Sequence, residues 1–262
     1  MKLKFFCPRW GSENLSWEAF MDQVKKEGYD GVEYAITADT SDAVLDNVWN
    51  LAEKNNMELI PQHFDTSSSD FSEHCDLYAR WMERIKKYPR VKINSQTGRD
   101  IFSFEQNCAL IKLAGPGVIH ETHRGKFSFA AHVTKQYLES IPELRITFDI
   151  SHWVSVAESF LEDQTEAVEL AINRASHVHA RVGFPEGPQI PDPRLPKWQE
   201  AVDKHIGWWL QIANRNSKDE VLTITTEFGP FPYLTHNVSQ WDINVYMMRL
   251  LKKTLIPVSV PQ

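Results

Sequence analysis

Apolar residues along the chain follow two alternating periodicities. Short apolar runs such as residues 3–7 are typical of strands, whereas Trp17, Phe20, Met21 and Val24 recur at the spacing of one helix face. This alternation of strand and helix patterns predicts a parallel sheet covered by helices. The predicted strands are residues 3–7, 31–36, 57–62, 91–94, 117–122, 145–150, 177–182 and 222–227.

Eight strand–helix pairs within 262 residues match the size of a closed barrel. Ser16, Ser72 and Ser239 precede helical patterns and are predicted N-caps. No composition shift, charge run or long linker interrupts the order. We therefore predict an α/β protein with a single (β/α)₈ TIM barrel domain spanning residues 1–262. Residues 183–196 contain five prolines after the seventh strand, and a long loop in that place is typical of a lid or pocket wall.

Charge and composition exclude several classes of protein. The chain has 35 acidic against 28 basic residues and a formal net charge of −7, which argues against the basic face of a nucleic-acid-binding protein. No run of about 18 apolar residues could span a bilayer, and the first residues lack the apolar segment of a signal peptide. We therefore expect a cytoplasmic protein with neither nucleic acid nor membrane as a partner. Cys7, Cys75 and Cys108 are widely spaced and are predicted to be reduced.

Acids and imidazoles close four successive predicted strands, at the end of the barrel where active sites lie. Glu121 ends the fifth strand, Asp149 the sixth and Glu227 the eighth, while the seventh carries His177 and His179. Any one of these acids alone could be a salt-bridge partner or a helix cap. Three carboxylates and an imidazole at one mouth, however, would be costly to bury without a cation. The sequence therefore predicts a divalent metal, either Mn²⁺, Mg²⁺, Zn²⁺ or Co²⁺, with no thiolate ligand.

These motifs resemble those of the xylose-isomerase-like barrel superfamily, which includes ketose 3-epimerases, inosose dehydratases and endonuclease IV proteins. The resemblance covers essentially the whole chain and depends on residues 28–33, 120–125, 149–153, 177–181 and 226–229. It implies one divalent metal ion held by ligands from the last four strands. These ligands would be Glu121, Asp149, His179 and Glu227.

The resemblance implies a sugar isomerase or epimerase. In such enzymes vicinal hydroxyl and carbonyl oxygens of the substrate chelate the metal, which stabilises the enediolate formed when a C–H proton is removed. Glu121 and Glu227 would be the acid and base. The resemblance also implies His152 and Arg181 as substrate contacts, although Arg181 follows its histidine more closely than the epimerase arginine does. Further predicted substrate contacts, near strand ends or in βα loops, are Glu33, His63, Lys92, Arg124 and Gln189.

The sequence is also compatible with two other functions. A lyase or dehydratase acting on a keto-inositol or 3-keto-glycoside would use the same metal and bases. A non-catalytic carbohydrate-binding barrel would carry neither metal nor turnover. A homo-oligomer is compatible with each of them.

DNA and sugar phosphates are less favoured as ligands. Endonuclease IV relatives need a trinuclear site with several additional histidines, whereas Asn94 and Gln96 follow the fourth strand here. Because the chain is also acidic, we expect one metal and no DNA. The glycines at residues 113–117 precede a strand instead of opening a helix, so no phosphate-binding loop is predicted and a non-phosphorylated sugar is favoured.

Overall fold

The computed structural model describes residues 2–215, 220–234 and 237–255. Eight parallel strands close into a barrel in chain order, and each pairs with the next. Strand β8 pairs with β1 from Lys2 opposite Val221 to Phe6 opposite Thr225. The predicted (β/α)₈ barrel is therefore confirmed. The strands are β1 (Lys2–Pro8), β2 (Gly31–Ala35), β3 (Glu58–His63), β4 (Ile93–Ser95), β5 (Val118–Glu121), β6 (Ile146–Phe148), β7 (Ala175–His179) and β8 (Val221–Thr225).

Helices connect the strands and cover the outside of the barrel. They are α1 (Trp17–Glu27), α2 (Asp42–Asn55), α3 (Phe71–Ile85), α4 (Phe104–Ala114), α5 (Ala131–Ser140), α6 (Ile150–Ala157), α7 (Thr165–Arg174), α8 (Gln199–Arg215) and α9 (Gln240–Leu255). The short helix α6 is additional to the repeating strand–helix pairs, because it lies between β6 and α7. Within the described ranges, a helix able to span a membrane is not found.

Two of the three predicted helix caps are confirmed. The Ser16 hydroxyl accepts a hydrogen bond from the Ala19 backbone N–H at 3.2 Å, and Ser239 accepts one from Asp242 at 3.2 Å. The predicted cap at Ser72 is wrong. Helix α3 begins at Phe71, and the carboxylate of the preceding Asp70 accepts from the Glu73 N–H at 2.8 Å. Asp and Ser are comparable N-caps, so the sequence alone does not separate them.

Several strands are shorter or displaced relative to their apolar runs. The apolar run predicts a strand that includes Ile150, but β6 ends at Phe148. Ile150 is buried as the first residue of α6. Strand β4 begins at Ile93, which leaves Lys92 at the N-terminal end of the barrel. An apolar run in the sequence indicates only that the residues are buried, whereas a strand also requires hydrogen bonds to a neighbouring strand. Predicted and observed strand bounds therefore differ where the chain leaves the sheet but stays buried.

The interior of the barrel toward the C-terminal strand ends is polar. Buried carboxylate, amide, imidazole and hydroxyl groups from several strands meet there, whereas the apolar core lies mainly between sheet and helices. Such a polar interior is costly unless its groups are paired or bind a cation. The inward-facing polar residues are Glu33, Gln62, Asn94, Glu121, Thr147, His177, His179, Thr223 and Thr225.

Gly31 at the start of β2 leaves no room for a side chain. A Cβ there would lie 2.1 Å from the Glu58 carbonyl oxygen and 2.7 Å from the Phe6 ring. We expect Gly31→Ala to lower the free energy of unfolding by about 1–3 kcal/mol, because neighbouring strands would have to move apart. Urea denaturation of both proteins measures this difference.

Gly207→Ala is the matched control for that substitution. Apart from its chain neighbours and the backbone of its own helix, nothing lies within 4 Å of the Cβ position at Gly207, which is in the interior of α8. Alanine there should raise the free energy of unfolding by about 0.5–1 kcal/mol. Equal free energies of unfolding for Gly31→Ala and the wild type would show that β2 and β3 have room for a Cβ at position 31, contrary to this expectation.

Candidate metal centre

Four buried side chains converge where the last four strands end. Glu121 is the last residue of β5 and His179 the last of β7. Asp149 follows β6 as the N-cap of α6, and Glu227 lies two residues beyond β8. One ligand-type atom of each residue lies within 4.8 Å of the others. The structure thus brings together the four residues that the sequence suggested as ligands.

His179 is oriented by a carboxylate behind it. Its Nε2 lies 3.1 Å from both carboxylate oxygens of Glu33. Its Nδ1 faces the other way and lies 2.9 Å from Glu227 Oε2 and 3.7 Å from Glu121 Oε1. Metal-binding histidines commonly donate their second N–H to a carboxylate, which sets the tautomer and the ring orientation. Nδ1 of His179 is therefore the nitrogen available to a metal.

His177 has both ring nitrogens engaged. Nδ1 lies 2.7 Å from Thr223 Oγ1, and Nε2 lies 3.1 Å from Glu33 Oε2. The side chains of Thr223 and Glu33 are both buried. Of the two histidines that the sequence left open as the imidazole ligand, the geometry favours His179.

Two atoms in the cluster are close together without forming a hydrogen bond. His179 Nδ1 and Glu227 Oε2 are both buried and without a hydrogen-bond partner, although they are 2.9 Å apart. Glu121 is more firmly held, because its Oε2 accepts from Gln62 Nε2 at 3.1 Å and from Asn94 Nδ2 at 3.2 Å. A divalent cation would satisfy the unpartnered lone pairs, and mixed carboxylate and imidazole donors are typical ligands for one. The residues present therefore fit a metal ion.

The charges in the cluster perturb one another strongly. Burial acts to lower the pKa of His179, but Glu227, Glu33 and Glu121 outweigh it and hold that pKa well above its usual range. Burial raises the pKa of Glu227, and His179 offsets only part of this effect. Burial also acts to raise the pKa of Glu121, but the charge of His179 outweighs it and lowers the pKa. The cluster favours additional positive charge.

Arg181 provides part of that positive charge. Its Nη2 donates to Asp149 Oδ2 at 2.7 Å and lies 2.6 Å from His152 Nε2, while its Nε donates to Ser151 Oγ at 3.2 Å. Burial acts to lower the pKa of Arg181, but Asp149 and Glu227 outweigh it and raise that pKa. Arg181 is therefore a permanent cation at the edge of the cluster.

A cavity of about 650 Å³ adjoins the cluster. Glu121, Glu227 and Arg181 line it, and so does His123, which lies two residues beyond the end of β5. Its volume and mixed apolar and polar lining suit a small molecule. The aromatic part of its wall consists of Trp10, Trp17, Tyr34, Phe64 and Tyr233.

Two predicted substrate contacts lie behind the cavity wall. Glu33 is bonded to His179 and His177 beneath the cluster, so it supports a candidate ligand. His63 is fully buried and bonds Thr66 Oγ1 at 2.7 Å. Neither residue is among the described residues that line the cavity. Glu33 points into the barrel beneath the cluster, whereas His63, at the end of β3, points outward and packs against Tyr78 and Trp81 of α3.

Four more predicted contacts are also displaced from the cavity wall. Lys92 Nζ donates to the Ser176 carbonyl at 2.7 Å near the opposite end of the barrel. Gln189 exchanges two hydrogen bonds with the backbone of Gly229, so the proline-rich loop supports the β8 end. Arg124 is 3.5 Å from the Tyr233 hydroxyl, and His152 lies behind Arg181. Of the seven predicted substrate contacts, the structure places Arg181 on the cavity wall.

Neutral and aromatic residues of the site were not singled out from the sequence. Gln62 and Gln96 line the cavity and both donate to Glu121. Their position at the ends of β3 and β4 was the available signal, but amides have no charge to neutralise and so did not indicate a metal. The aromatic wall comes from βα loops, from α1 and from β2, where aromatic residues equally predict core packing.

The burial of Lys92 makes the stability of the barrel sensitive to alkaline pH. Burial lowers the pKa of Lys92 to about 8, against an opposing contribution from Glu33. The unfolded chain, with a lysine pKa of about 10.4, therefore binds more protons above pH 8 than the folded chain. We expect the free energy of unfolding to rise with pH across this window, by up to about 1.4 kcal/mol per pH unit from this group.

Lys92→Met removes this contribution. Urea denaturation from about pH 8 to 10 should show a smaller rise in the variant than in the wild type. Lys87→Met, at an exposed position of the α3–β4 connection, should keep the wild-type profile. Parallel profiles for wild type and Lys92→Met would refute the assignment.

The fold and the cluster define an α/β barrel with a buried carboxylate–imidazole group that could hold a metal ion. The chain matches no protein-family model, and comparison with curated proteins gives no match. Solved structures do match over nearly the whole chain. Endonuclease IV from Thermus thermophilus aligns with a TM-score of 0.60 and 12% identity, covering 97% of this chain and 99% of that one.

Two further structures share the fold. AsfvAP:AG aligns with a TM-score of 0.64 and 11% identity, covering 98% of this chain and 100% of that one. AP endonuclease, family 2, from Brucella melitensis aligns with a TM-score of 0.50 and 12% identity, covering 87% and 93%. At these identities the likeness shows the fold alone. The closed eight-stranded parallel barrel that the sequence motifs led us to expect is confirmed.

Proposed function

We propose that this chain is a divalent-metal-dependent isomerase or epimerase of a small sugar or keto-sugar. The observation that supports this most directly is the convergence of Glu121, Asp149, His179 and Glu227 within 4.8 Å beside a small-molecule cavity. Such donors suit Mn²⁺, Zn²⁺, Mg²⁺ or Co²⁺. All four side chains are at least nine-tenths buried, so an ion held there would be largely shielded from water.

The two glutamates are the groups that would move protons. A bound divalent ion would polarise neighbouring hydroxyl and carbonyl oxygens of a sugar. This would lower the pKa of the C–H on the hydroxyl-bearing carbon next to the carbonyl. Glu121, at the end of β5, and Glu227, two residues beyond β8, both line the cavity. Gln62 and Asn94 hold Oε2 of Glu121, while Oε2 of Glu227 accepts no hydrogen bond and faces His179 Nδ1 at 2.9 Å. One carboxylate would remove the proton, and the other, in its protonated form, would donate its own proton to the opposite face of the same carbon or to the neighbouring carbon. The two carboxyl groups would then recover their starting protonation states by exchange with solvent.

The cavity supports a sugar in preference to a nucleic acid. Aromatic rings can pack against the C–H faces of a sugar, and Gln62 and Gln96 offer donors beside Glu121. The net charge of −7 disfavours a polyanion. Although the structural neighbours are named endonucleases, we therefore infer a small-molecule substrate and no DNA.

A keto-sugar lyase or dehydratase is the second candidate. The size of the cavity and the aromatic rings of Trp10, Trp17 and Tyr34 favour it, because they leave space for a second ring of a keto-glycoside. The same pair of glutamates would remove the proton next to the carbonyl and protonate the departing oxygen.

Metal analysis of the untreated protein, followed by turnover assays in D₂O, tests these proposals. We expect about one equivalent of metal and incorporation of deuterium into a sugar that neither gains nor loses atoms otherwise. Loss of water or of an aglycone, detected by mass spectrometry, would favour the lyase. Cleavage of double-stranded DNA, included as a further arm, would contradict a sugar-specific enzyme. Absence of bound metal, of uptake of added Mn²⁺ or Zn²⁺, and of turnover would leave a carbohydrate-binding barrel.

A further inference from the structure

A guanidinium nitrogen is bonded to one carboxylate oxygen of a candidate ligand, Asp149. Asp149 Oδ1 accepts hydrogen bonds from the Ser151 backbone N–H at 3.1 Å and from the Ser151 hydroxyl. Oδ2 alone is left for a cation, and Arg181 Nη2 already donates to it at 2.7 Å. The same nitrogen lies 4.0 Å from Glu227 Oε2. Arg181 thus neutralises two of the four cluster residues directly.

Arg181 is held in this position from several sides. Its side chain is 4% exposed, its Nε donates to Ser151 Oγ, and His152 Nε2 lies 2.6 Å from its Nη2. The ring centroid of Tyr233 lies 6.0 Å from the guanidinium carbon on the cavity side. These contacts fix the position of the Arg181 guanidinium.

We infer that the Arg181 guanidinium is a resident counter-cation that competes with the metal ion for Asp149. This inference depends on the metal site of the proposed function. Without a metal, the buried carboxylates would lack neutralising charge, which is strongly destabilising, and Arg181 reduces that cost. With a metal on the same carboxylate oxygen, the two cations repel each other.

Arg181 would affect both the folding of the metal-free chain and the binding of a metal. The barrel can fold before metal is acquired, because its carboxylates are already partly neutralised. Metal binding must weaken the Arg181–Asp149 contact to the same extent that this contact weakens metal binding. The N–H groups released from Asp149 then become available to an oxygen of a ligand in the cavity that Arg181 lines.

Zn²⁺ titration of the EDTA-treated full chain by calorimetry tests the competition. We expect Arg181→Gln to bind Zn²⁺ on the order of tenfold more tightly than the wild type, because a positive charge near the ion has been removed. The same variant should unfold at a lower temperature in EDTA. Arg181→Lys keeps the charge and should bind Zn²⁺ less tightly than Arg181→Gln. A purely structural role for Arg181 predicts weaker Zn²⁺ binding in every variant.

Arg194→Gln is the matched control. Arg194 pairs with Asp192 at 2.8 Å, and its side chain is 41% exposed outside the cluster. Its loss should leave the Zn²⁺ affinity unchanged. Equal or weaker Zn²⁺ binding by Arg181→Gln, with the wild type still binding, would overturn the competition and leave the metal site intact. Failure of the wild type and all variants to bind Zn²⁺ or Mn²⁺ would overturn the proposed metal site together with this inference.

A second measurement needs no substitution at Arg181. The ¹⁵N resonance of the Arg181 Nε–H group, followed in the wild-type chain, should shift as Zn²⁺ is added, since the guanidinium loses its Asp149 contact. An unchanged resonance at saturating Zn²⁺ would contradict the competition even if Arg181→Gln does not fold without metal.

Discussion

Glu227→Gln should lower turnover of any sugar that the wild type converts by about 10²–10⁴-fold. The amide keeps the shape of the side chain but cannot accept a proton from carbon, and it is a poorer ligand for a divalent cation. Glu227 Oε2 faces His179 Nδ1 at 2.9 Å without a hydrogen bond, so the substitution acts where a cation is expected. Turnover at saturating substrate, together with metal content by elemental analysis, measures the effect.

The controls separate proton transfer from metal loss. Glu121→Gln, the matched change on the other cavity carboxylate, should cause a loss of the same order. Glu169→Gln, an exposed position on α7, should leave turnover unchanged. If Glu227→Gln retains its metal and more than about a tenth of the wild-type turnover, Glu227 is not an acid or base in the reaction.

Glu33→Gln is expected to weaken metal binding by about 10–100-fold. The substitution removes the negative charge behind His179, and that charge makes the imidazole a stronger ligand. Glu33 is 3% exposed and also bonds His177 and Thr225, so an uncharged amide would leave several buried groups with a poorer partner. Competition with a chromogenic chelator measures the affinity.

The same variant tests where Glu33 acts. The sequence suggested a substrate contact, which predicts a higher KM with metal affinity unchanged. The structure predicts the reverse, with KM close to the wild-type value once the metal is saturating. Glu58→Gln is a control on the neighbouring strand, because Glu58 pairs with Lys4 and its side chain is 38% exposed. Wild-type metal affinity in Glu33→Gln would restore the substrate-contact assignment.

The barrel and the location of its cluster were predictable because both depend on local patterns. Each strand and helix has its own apolar period, and eight alternations allow few arrangements other than a closed barrel. Glu121, Asp149 and Glu227 each close an apolar run, so their positions on the C-terminal face follow from the chain order alone. Predicting that these three carboxylates lie at the same end of the barrel therefore required no interatomic distances.

The family resemblance implied His179 as the imidazole ligand, but the physical reason for preferring it to His177 came from the tertiary structure. Residues two apart on a strand point to the same side, so strand periodicity does not separate the two histidines. In the folded chain, Thr223 and Glu33 occupy both nitrogens of His177, whereas one nitrogen of His179 faces the cluster. These partners are far apart in sequence.

The sequence by itself determined the fold class, the order of the strands and the strand ends at which acids and imidazoles collect, since each is encoded by neighbouring residues. Only the tertiary structure decided that Glu33 supports His179, that Lys92 lies at the opposite end of the barrel and that Arg181 pairs with Asp149. The physical reason is that pairing of buried charges depends on distances of a few ångströms between strands. Strand order does not specify such distances.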